Sequence, residues 1–450
     1  MYDYDVIFLG SGHACWHGAV LLKLAKKKVA LVERELLGGT CTNYGCDAKI
    51  LLDSPFELKE ALDRYQGIGL SKPADVDWSQ LMQYKKGVIG FMPQAMDGMF
   101  TSFGLDLLRG EGKLIDANTI EVGDQKYTAK YFVIGTGQDY IPLDIPGKEY
   151  FHNSRDFLSL DEIPNHVTFV GAGIISMEFA SICLALGKKV DVVTSGGSAL
   201  NAYPQEYVSK IVDKMKAQGA NFVWNAKVES IEKNGETYTL KGADNLSIDT
   251  DYILIAVGRK ANAEGLGLEH LGIDFSDRGI KVDNHLRTSV KNIYASGDVV
   301  DKKIPKLTPT AEFESNYIAM DILNPLNGTI QYPVIPNLVF TLPRIAQVGV
   351  SRKEAEQHPG EYRIEELSFG ETMAWLNKAE KDAHITYIFD KKNHLAGAAV
   401  YSDDAGSYID VLTLIINEKM GVKELGKMIF AFPTPTYGLI STLIPLFMKQ

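Results

Sequence analysis

The chain has 450 residues, of which 45% are hydrophobic, and it carries a formal net charge of −11. A chain of this length is expected to form about two to four folded units with sizeable cores. The acidic balance excludes a nucleic-acid partner, because a nucleic-acid-binding surface needs a basic patch or stripe.

At the two ends of the chain we expect neither a signal peptide nor a membrane anchor. The N-terminal MYDYDVIFLG has no basic region and no small-residue cleavage site, and it is typical of a first β-strand. The apolar LISTLIPLF near the C-terminus is short and contains Pro445, so it cannot span a bilayer. We therefore predict a cytoplasmic protein without a membrane partner.

Two segments follow the same strand–turn–helix–strand pattern. Residues 4–33 and residues 166–193 each combine an apolar strand, a glycine-rich turn, an amphipathic helix and a second apolar strand. This is the βαβ unit typical of dinucleotide binding. Because the pattern occurs twice, about 160 residues apart, it predicts two nucleotide-binding domains.

The segments between and after these units complete the predicted fold. A largely helical region spans roughly residues 50–100, and the strands YFVIGTG (131–137) and YILIAVG (252–258) are expected to close the two Rossmann-type sheets. A further helix is predicted from 310 to about 324. From about residue 330 the pattern changes to that of a separate α+β domain, with strands NLVFTL, ITYIFD and LAGAAVY and helices at 406–420 and 422–430.

The first glycine-rich turn has the residues that a dinucleotide pyrophosphate requires. Gly10 and Gly12 allow the backbone to approach the phosphates, and the following helix N-terminus favours their negative charge. Glu33, at the end of the second strand, is placed to bind a ribose diol. Cys15 occupies the third glycine position, and we predict that it is a small packing residue. An ordinary buried βα turn is the alternative.

Two histidines, His13 and His17, come directly after the first glycine-rich turn. No set of metal-ligating residues surrounds them in the sequence. We predict that they are helix-start and packing residues, and we predict no metal site.

The second glycine-rich turn lacks the acidic partner of the first. Gly171 and Gly173 are present, but Thr194 and Ser195 stand where an acidic residue would come after the second strand. An acidic residue here would select a coenzyme with an unphosphorylated ribose, and an arginine would select one with a 2′-phosphate. The sequence has neither residue at this position. The small hydroxyls would tolerate a phosphate, which favours NADPH over NADH.

The segment GGTCTNYGCDAK holds Cys41 and Cys46, two of the four cysteines. In an ideal helix, five positions span roughly 7.5 Å along the axis, more than the ~7 Å Cα separation that a disulfide allows. A disulfide therefore requires a non-helical start with Cys41 before the first turn. Cys46 near a helix N-terminus would have a lowered pKa. Two buried unpaired thiols are the alternative, and a metal site lacks a second ligand pair.

GGTCTNYGCDAK resembles the redox motif of the class I pyridine nucleotide–disulfide oxidoreductases, and the resemblance extends over essentially the whole chain. IYASGDVV at 293–300 resembles the second FAD motif of the family, LTPTAEFE at 307–314 the segment after it, and FTLPRIAQVG at 340–349 the start of its dimerisation domain. The resemblance implies an NAD(P)H-dependent flavoprotein disulfide oxidoreductase that binds FAD and forms a homodimer.

The resemblance also implies a role for individual residues. Cys46 would be the flavin-side sulfur and Cys41 the interchange thiol, while Lys49 would lie near flavin N5 and pair with Glu178. The alternative for Lys49 and Glu178 is two surface charges on separate helices. Asp298 would bind the ribityl chain, and Arg259 would lie near the nicotinamide dinucleotide. Further cofactor contacts are implied at Gly39, Thr40, Thr136, Gly137, Thr308 and Gly258.

These roles imply an α/β fold with two Rossmann-like dinucleotide-binding domains and a C-terminal α+β dimerisation domain. We expect an FAD-binding domain in two parts, at 1–146 and 259–328. An NAD(P)-binding domain at 147–258 lies between these parts, and the dimerisation domain spans 329–450.

The sequence departs from the family at the C-terminal His-Pro-Thr-x-x-Glu motif. Phe432 replaces the acid/base histidine, Tyr437 replaces the glutamate, and no histidine occurs after His394. Thiol–disulfide exchange needs a proton donor and a base, which phenylalanine cannot be. A tyrosine is a poor base at neutral pH, but Tyr437 could donate a proton or a hydrogen bond. Packing of both side chains in a dimer interface is the alternative.

Three hypotheses remain for the function, of which the first two differ in the small-molecule electron acceptor. The first is a non-standard disulfide. The second is a metal ion, a quinone or oxygen, although the C-terminal FMKQ lacks the cysteine pair of mercuric reductases. The third is a non-catalytic redox sensor, against which the retained Cys41, Cys46, Lys49 and Glu178 argue.

Overall fold

The computed structural model describes residues 1–325 and 328–449. The first part of the chain alternates strands and helices as the sequence predicts. Its elements are β1 Tyr4–Leu9, α1 His13–Leu24, β2 Val29–Glu33, α2 Gly39–Tyr44, α3 Cys46–Arg64, α4 Trp78–Phe103, β3 Asp106–Arg109, β4 Gly112–Asp116, β5 Thr119–Val122, β6 Gln125–Ile134 and β7 Gln138–Tyr140.

The second part contains the second βαβ unit. Its elements are α5 Ser154–Phe157, β8 His166–Val170, α6 Ile174–Ala185, β9 Lys189–Val193, α7 Gln205–Ala217, β10 Asn221–Val223, β11 Val228–Asn234, β12 Thr237–Gly242, β13 Ser247–Thr250 and β14 Tyr252–Ile255.

The chain then returns to the first sheet before entering a C-terminal unit. The returning elements are β15 Arg259–Ala261, β16 Phe275–Ser276, β17 Gly279–Ile280, β18 Ile293–Ala295 and α8 Thr308–Leu323. The C-terminal elements are β19 Asn337–Val339, β20 Ile345–Gly349, α9 Arg352–Gln357, β21 Tyr362–Ser368, α10 Met373–Leu376, β22 His384–Asp390, β23 Leu395–Tyr401, α11 Ala405–Asn417, α12 Val422–Leu425 and α13 Pro435–Leu443.

The first sheet has the order β3-β2-β1-β6-β5-β4, and β18 also pairs with β6. Strand β1 lies between two parallel partners, with Val6 opposite Val29 on one side and Tyr131 on the other. Residues 6–9 are fully buried, as expected for a parallel strand covered on both faces. Helices α1 and α8 pack closely against each other because Gly18 has no side chain; a Cβ there would lie 2.4 Å from the Ser315 carbonyl oxygen.

The second βαβ unit forms its own parallel sheet with the order β10-β9-β8-β14. The strand predicted at YILIAVG closes this sheet, because β14 pairs with β8 from Tyr252 to Ile255. A small antiparallel sheet of β11, β12 and β13 is attached to it. The two Rossmann-like units predicted from the sequence are therefore present.

The C-terminal unit is a five-stranded antiparallel sheet in the order β19-β20-β23-β22-β21, covered by α11 and α13. One helix predicted there is wrong in extent. The segment 422–430 is helical only from Val422 to Leu425, with Gly426 as its C-cap, and the apolar side chain of Ile429 beyond it is exposed and has no packing that would hold a longer helix. Within the described residues, no helix has the length and apolarity that crossing a membrane requires.

Candidate active site

The first glycine-rich turn forms as the sequence predicts. Gly10 has a φ of 117°, and a Cβ there would lie 2.7 Å from the Gly135 carbonyl oxygen, so only glycine fits. Helix α1 begins after Gly12 without a side-chain cap, which leaves its first amides available to an anion. Glu33 lies beside the turn, where its Oε2 accepts hydrogen bonds from the Ser11 amide at 3.1 Å and the Ser11 hydroxyl at 2.6 Å. An uncapped helix start next to a carboxylate fits the pyrophosphate and ribose of FAD.

Cys15 is fully buried, and its Sγ lies 3.5 Å from the Leu9 carbonyl oxygen. Burial raises the pKa of this thiol. Its contacts agree with the predicted packing role.

The second glycine-rich turn repeats the geometry of the first. Gly171 has a φ of 105°, and a Cβ there would lie 2.4 Å from the Ala256 carbonyl oxygen. Helix α6 begins after Gly173, again without a side-chain cap. Thr194, just after β9, uses its hydroxyl to accept a hydrogen bond from the Gly196 amide at 3.2 Å, whereas Ser195 is exposed.

Gly258 and Arg259 come after β14 at the carboxyl edge of the same sheet. Gly258 has a φ of 142°, and Arg259 is exposed in β15, opposite Tyr140. The carboxyl edge of a parallel sheet is where nucleotides bind in this kind of fold.

Cys41 and Cys46 lie on either side of a break between two helices. Cys41 is inside α2 and Cys46 is the first residue of α3, with Gly45 between them at φ −137° and ψ −116°. The prediction that Cys41 precedes the first helical turn is therefore wrong: the non-helical backbone that brings the thiols together is at Gly45. A Cβ at Gly45 would lie 3.0 Å from the Thr40 carbonyl oxygen, which explains the glycine.

The structure holds the two cysteines as thiols that hydrogen-bond each other. Cys46 Sγ also lies 3.6 Å from the hydroxyl of Thr308, the first residue of α8. These hydrogen bonds, that from Cys41 foremost, and the charge of Lys49 lower the pKa of Cys46 to about 6, against the opposing effect of burial. The hydrogen bond to Cys46 and burial raise the pKa of Cys41. The reduced pair thus keeps its proton on Cys41 and its negative charge on Cys46.

Lys49 lies one turn after Cys46 and contacts Glu178 of α6. Its Nζ donates to Glu178 Oε1 at 3.1 Å and to Oε2 at 2.9 Å. The Glu178 side chain is 4% exposed, and its Oε1 also accepts from the Phe340 amide at 2.9 Å. Lys49 Nζ lies 3.9 Å from the centre of the Phe340 ring. The alternative of two separate surface charges is excluded for this pair.

Two of the remaining predicted cofactor contacts, Thr136 and Asp298, come shortly after strands β6 and β18 of the first sheet. The turn at Asp298 is held by Glu314, whose Oε2 accepts from the Gly297 amide at 2.6 Å. The Thr136 hydroxyl donates to the Asn262 carbonyl oxygen at 2.7 Å. Gly39 and Gly137 have positive φ values of 69° and 72°, which favour glycine, and Thr40 lies in the first turn of α2.

Phe432 lies just before α13 and Tyr437 lies in its first turn, both on the surface of the chain. Their side chains are 75% and 41% exposed, and their rings meet edge to face with centroids 5.0 Å apart. The Thr434 hydroxyl caps α13 by accepting from the Tyr437 amide at 3.2 Å. Exposed aromatic rings on this segment are compatible with the predicted packing against a second subunit.

Several residues near the site could not be found from sequence. Arg344, 3% exposed, donates to Asp53 at 2.6 Å and to Glu57 at 2.7 Å, both of which are residues of α3. Asp53 and Glu57 are nearly 300 residues away from Arg344 in the chain, so no local sequence pattern predicts these contacts. His13 and His17, by contrast, carried a signal in their spacing of one helical turn, and they contact each other. No three His, Cys, Asp or Glu side chains within residues 1–325 and 328–449 are arranged to hold a metal ion.

Comparison with known proteins identifies the family. The family model for pyridine nucleotide-disulphide oxidoreductases matches residues 4–315, and the model for the dimerisation domain of that family matches residues 335–438. The chain is a member of this family. It is therefore an NAD(P)H-dependent flavoprotein disulfide oxidoreductase that uses FAD and a pyridine nucleotide.

Individual relatives cover nearly the whole chain. A mercuric reductase of Bacillus cereus is 30% identical over 448 residues, covering 97% of this chain and 70% of that protein. A dihydrolipoyl dehydrogenase of Bacillus subtilis (strain 168) is 29% identical over 448 residues, covering 96% of this chain and 94% of that protein.

Solved structures show the same fold. The HOCl-induced flavoprotein disulfide reductase RclA from Escherichia coli has a TM-score of 0.87 at 23% identity, covering 97% of this chain and 99% of that one. The Cu(II) complex of a mutant of that protein also has a TM-score of 0.87, at 24% identity, covering 98% of this chain and 99% of that one.

Proposed function

We propose that this enzyme passes two electrons from NADPH through FAD to a Cys41–Cys46 disulfide, and from the resulting dithiol to a small acceptor, with a non-standard disulfide as the first candidate. The observation that carries the proposal is the position of Cys46. Its sulfur lies 3.6 Å from the Thr308 hydroxyl, one helical turn before the Lys49–Glu178 pair, and its pKa is lowered to about 6.

FAD, when bound, accepts hydride from the nicotinamide and delivers two electrons to a sulfur. We assign the chain's own residues to the remaining tasks. The turn at Gly10 and Gly12 binds the pyrophosphate, and Glu33 binds a ribose. Lys49, fixed by Glu178, stabilises negative charge near the flavin. Cys46 holds the thiolate charge after reduction, and Cys41 holds the proton and meets the acceptor.

The NADPH preference and the domain limits belong to this proposal. Ser195 and Thr194 offer small hydroxyls without an acid at the end of β9, which favours a 2′-phosphate. We place the NAD(P)-binding domain at 147–258, the FAD-binding domain at 1–146 and 259–328, and the dimerisation domain at 329–450. The match to the family's dimerisation domain supports a homodimer. Further cofactor contacts are proposed at Gly39, Thr40, Thr136, Gly137, Gly171, Gly173, Gly258, Arg259, Asp298 and Thr308.

Anaerobic titration of the FAD-loaded protein with NADPH or NADH tests the first half of the proposal. We expect a long-wavelength thiolate–flavin absorbance band, because electrons reach the disulfide and leave a thiolate on Cys46. Bleaching of the flavin without that band would show that electrons stop at the flavin. A Cys183→Ser variant is the matched control, because Cys183 is a fully buried thiol in α6.

An acceptor screen tests the second half. We expect Cys41→Ser to abolish reduction of the true acceptor, whereas NADPH should still reduce the flavin. Full activity of Cys41→Ser towards that acceptor would show that the acceptor is reduced at the flavin instead of the dithiol.

A thiophilic metal ion is the second candidate acceptor. Phe432 carries no titratable group, and a metal ion reduced by the dithiol needs no proton for a leaving thiolate. One relative is named a mercuric reductase, and a structural neighbour was solved as a Cu(II) complex. NADPH oxidation driven by Hg(II) or Cu(II), lost in both Cys41→Ser and Cys46→Ser, would support this candidate over a disulfide.

A further inference from the structure

Arg155 of α5, in the second part of the chain, contacts three separate segments of the first part. Its Nη1 donates to Glu35 Oε2 at 3.2 Å, and its Nη2 lies 4.0 Å from Asp139 Oδ2. The central carbon of its guanidinium group lies 4.6 Å from the centre of the Tyr44 ring, in a cation–π contact. One side chain thus joins the segment after β2, the end of α2 and strand β7.

The backbone of α5 is held firmly, so Arg155 projects from a fixed position. The Asn153 side chain caps the helix by accepting from the Arg155 amide at 2.8 Å and the Asp156 amide at 3.4 Å. The Asn153 amide donates to Asp156 Oδ2 at 2.8 Å, which completes a capping box. Phe157 at the end of α5 is fully buried and stacks on Phe179 of α6, with ring centroids 4.2 Å apart.

The contact with Glu35 continues to the carboxylate that we assign to a ribose of FAD. The Glu35 amide donates to Glu33 Oε1 at 2.8 Å. Glu33 Oε2 accepts from the Ser11 amide and hydroxyl of the first glycine-rich turn, and the Ser11 hydroxyl accepts from the Gly38 amide at 3.1 Å. Hydrogen bonds therefore lead from Arg155 through the side chain and backbone of Glu35 to Glu33.

The other two contacts of Arg155 also lie on segments that carry proposed FAD contacts. Tyr44 is the last residue of α2, and Gly39 is the first residue of that helix. Asp139 lies in β7, two residues after Gly137. Arg155 itself comes from the proposed NAD(P)-binding domain. Moving any one of the three segments away from the others would break a contact of Arg155.

The charges around the guanidinium group favour its place between the segments. Two carboxylates, those of Glu35 and Asp139, face Arg155, and Glu35 Oε1 also lies 3.8 Å from Arg34 Nε. The side chains of Arg155, Glu35 and Asp139 are 31%, 44% and 40% exposed. Because solvent reaches these pairs, dissolved salt should weaken them.

We infer that Arg155 is a positioning residue for FAD: it holds the three FAD-binding segments together and slows the release of the cofactor. The inference rests on the proposed function, which assigns FAD to these segments. Arg155 acts through Glu35, Tyr44 and Asp139, so no contact between its side chain and FAD is required. Loss of Arg155 should speed the release of FAD without removing any group that we assign to FAD binding.

The rate of FAD release from the oxidised holoenzyme tests the inference. The holoenzyme is dialysed against flavin-free buffer, and the FAD that stays bound is measured by its absorbance over time. We expect Arg155→Met to release FAD about 5-fold faster, the combined effect of a partly exposed ion pair and a cation–π contact. Glu35→Gln should have a smaller effect, since it leaves two of the three contacts. Lys148→Met is the matched control, because Lys148 is a nearby surface cation that pairs with the exposed Asp144.

Three further measurements separate the role of Arg155 from a general structural effect. Salt should speed FAD release from the native chain, because it screens the ion pairs, and should have less effect on Arg155→Met. The double variant Arg155→Met, Glu35→Gln should release FAD no faster than Arg155→Met, since its second change removes a partner that is already lost. Arg155→Lys, which keeps the positive charge, should recover part of the retention.

The possible outcomes decide between the inference and its alternatives. Release of FAD from Arg155→Met at the native rate would overturn it, and so would additive effects of Arg155→Met and Glu35→Gln. A raised KM for NADPH with unchanged FAD release would assign Arg155 to the nicotinamide dinucleotide instead. If Arg155→Met does not fold, Glu35→Gln carries the same test from an exposed position: faster release supports the inference, and the native rate contradicts it. A native chain that binds no FAD would contradict the proposed function.

Discussion

Lys49 Nζ lies 2.9 Å from Glu178 Oε2, joining α3 to α6 across 129 residues of sequence. The pair links the helix that carries Cys46 to α6, the helix of the second βαβ unit. Because Glu178 is nearly buried, it holds the ammonium group in one place. A fixed cation one turn from Cys46 is well placed to stabilise negative charge as electrons arrive.

Replacing Lys49 by Met should slow flavin reduction by NADPH. We expect a decrease of about 100-fold, the effect of removing one preorganised charged donor. Stopped-flow measurement of flavin absorbance gives the rate constant directly. Lys59→Met is the matched control, because Lys59 lies on the same helix and pairs with Asp63. An unchanged rate in Lys49→Met would remove this residue from the proposed mechanism.

The Cys46 thiolate should titrate below neutral pH in the reduced enzyme. Its pKa is lowered to about 6, so the thiolate is present above that pH and is lost as the pH falls through it. Thr308→Val removes one hydrogen bond to the sulfur and should raise the pKa measured from thiolate absorbance. Thr310→Val is the control, because the Thr310 hydroxyl is buried without a hydrogen-bond partner among the described residues. Equal titrations of the two variants would contradict the role of Thr308.

Replacing Arg344 by Met should destabilise the fold by about 3–5 kcal/mol, because it leaves Asp53 buried without its cation. Urea unfolding measures the change. The double variant Arg344→Met, Asp53→Asn should recover much of the lost free energy of unfolding. Arg278→Met, which removes an 80% exposed partner of Asp301, should change stability by less than about 1 kcal/mol.

The loss of unfolding free energy in Arg344→Met should also depend on pH. Burial raises the pKa of Asp53 in the folded state, so the folded form favours the protonated acid. The destabilisation should therefore be largest near neutral pH and should shrink as the pH falls through the folded-state pKa of Asp53. A loss that is constant with pH would point to lost packing of the arginine side chain instead.

Replacing Ser195 by Glu should move the coenzyme preference towards NADH. The added carboxylate would repel a 2′-phosphate and could accept hydrogen bonds from a ribose diol. We expect kcat/KM for NADPH to fall by about 10-fold or more, with a smaller effect on NADH, on the basis of charge repulsion at short range. Ser247→Glu, in β13 and also exposed, is the control. Equal losses for both coenzymes would place Ser195 away from the 2′ position.

Local sequence patterns determined much of this protein. The alternation of apolar strands, glycine-rich turns and helices at 4–33 and 166–193 predicted both βαβ units, because the periodicity of side-chain burial and the conformational freedom of Gly10 and Gly171 are properties of short segments. The cysteine spacing predicted a redox pair. The same local reasoning misplaced the helix break, which is at Gly45, and extended α12 beyond Leu425.

Contacts between distant segments were decided only by the tertiary structure. The hydrogen bond from Thr308 to Cys46, the burial of Arg344 against Asp53 and the approach of Glu312 to His17 each join residues that are hundreds of positions apart. No periodicity or spacing encodes such contacts, because they depend on how sheets and helices pack. The cysteine pair could therefore be recognised from sequence, whereas the hydrogen bonds and charges that set its proton affinity required the folded chain.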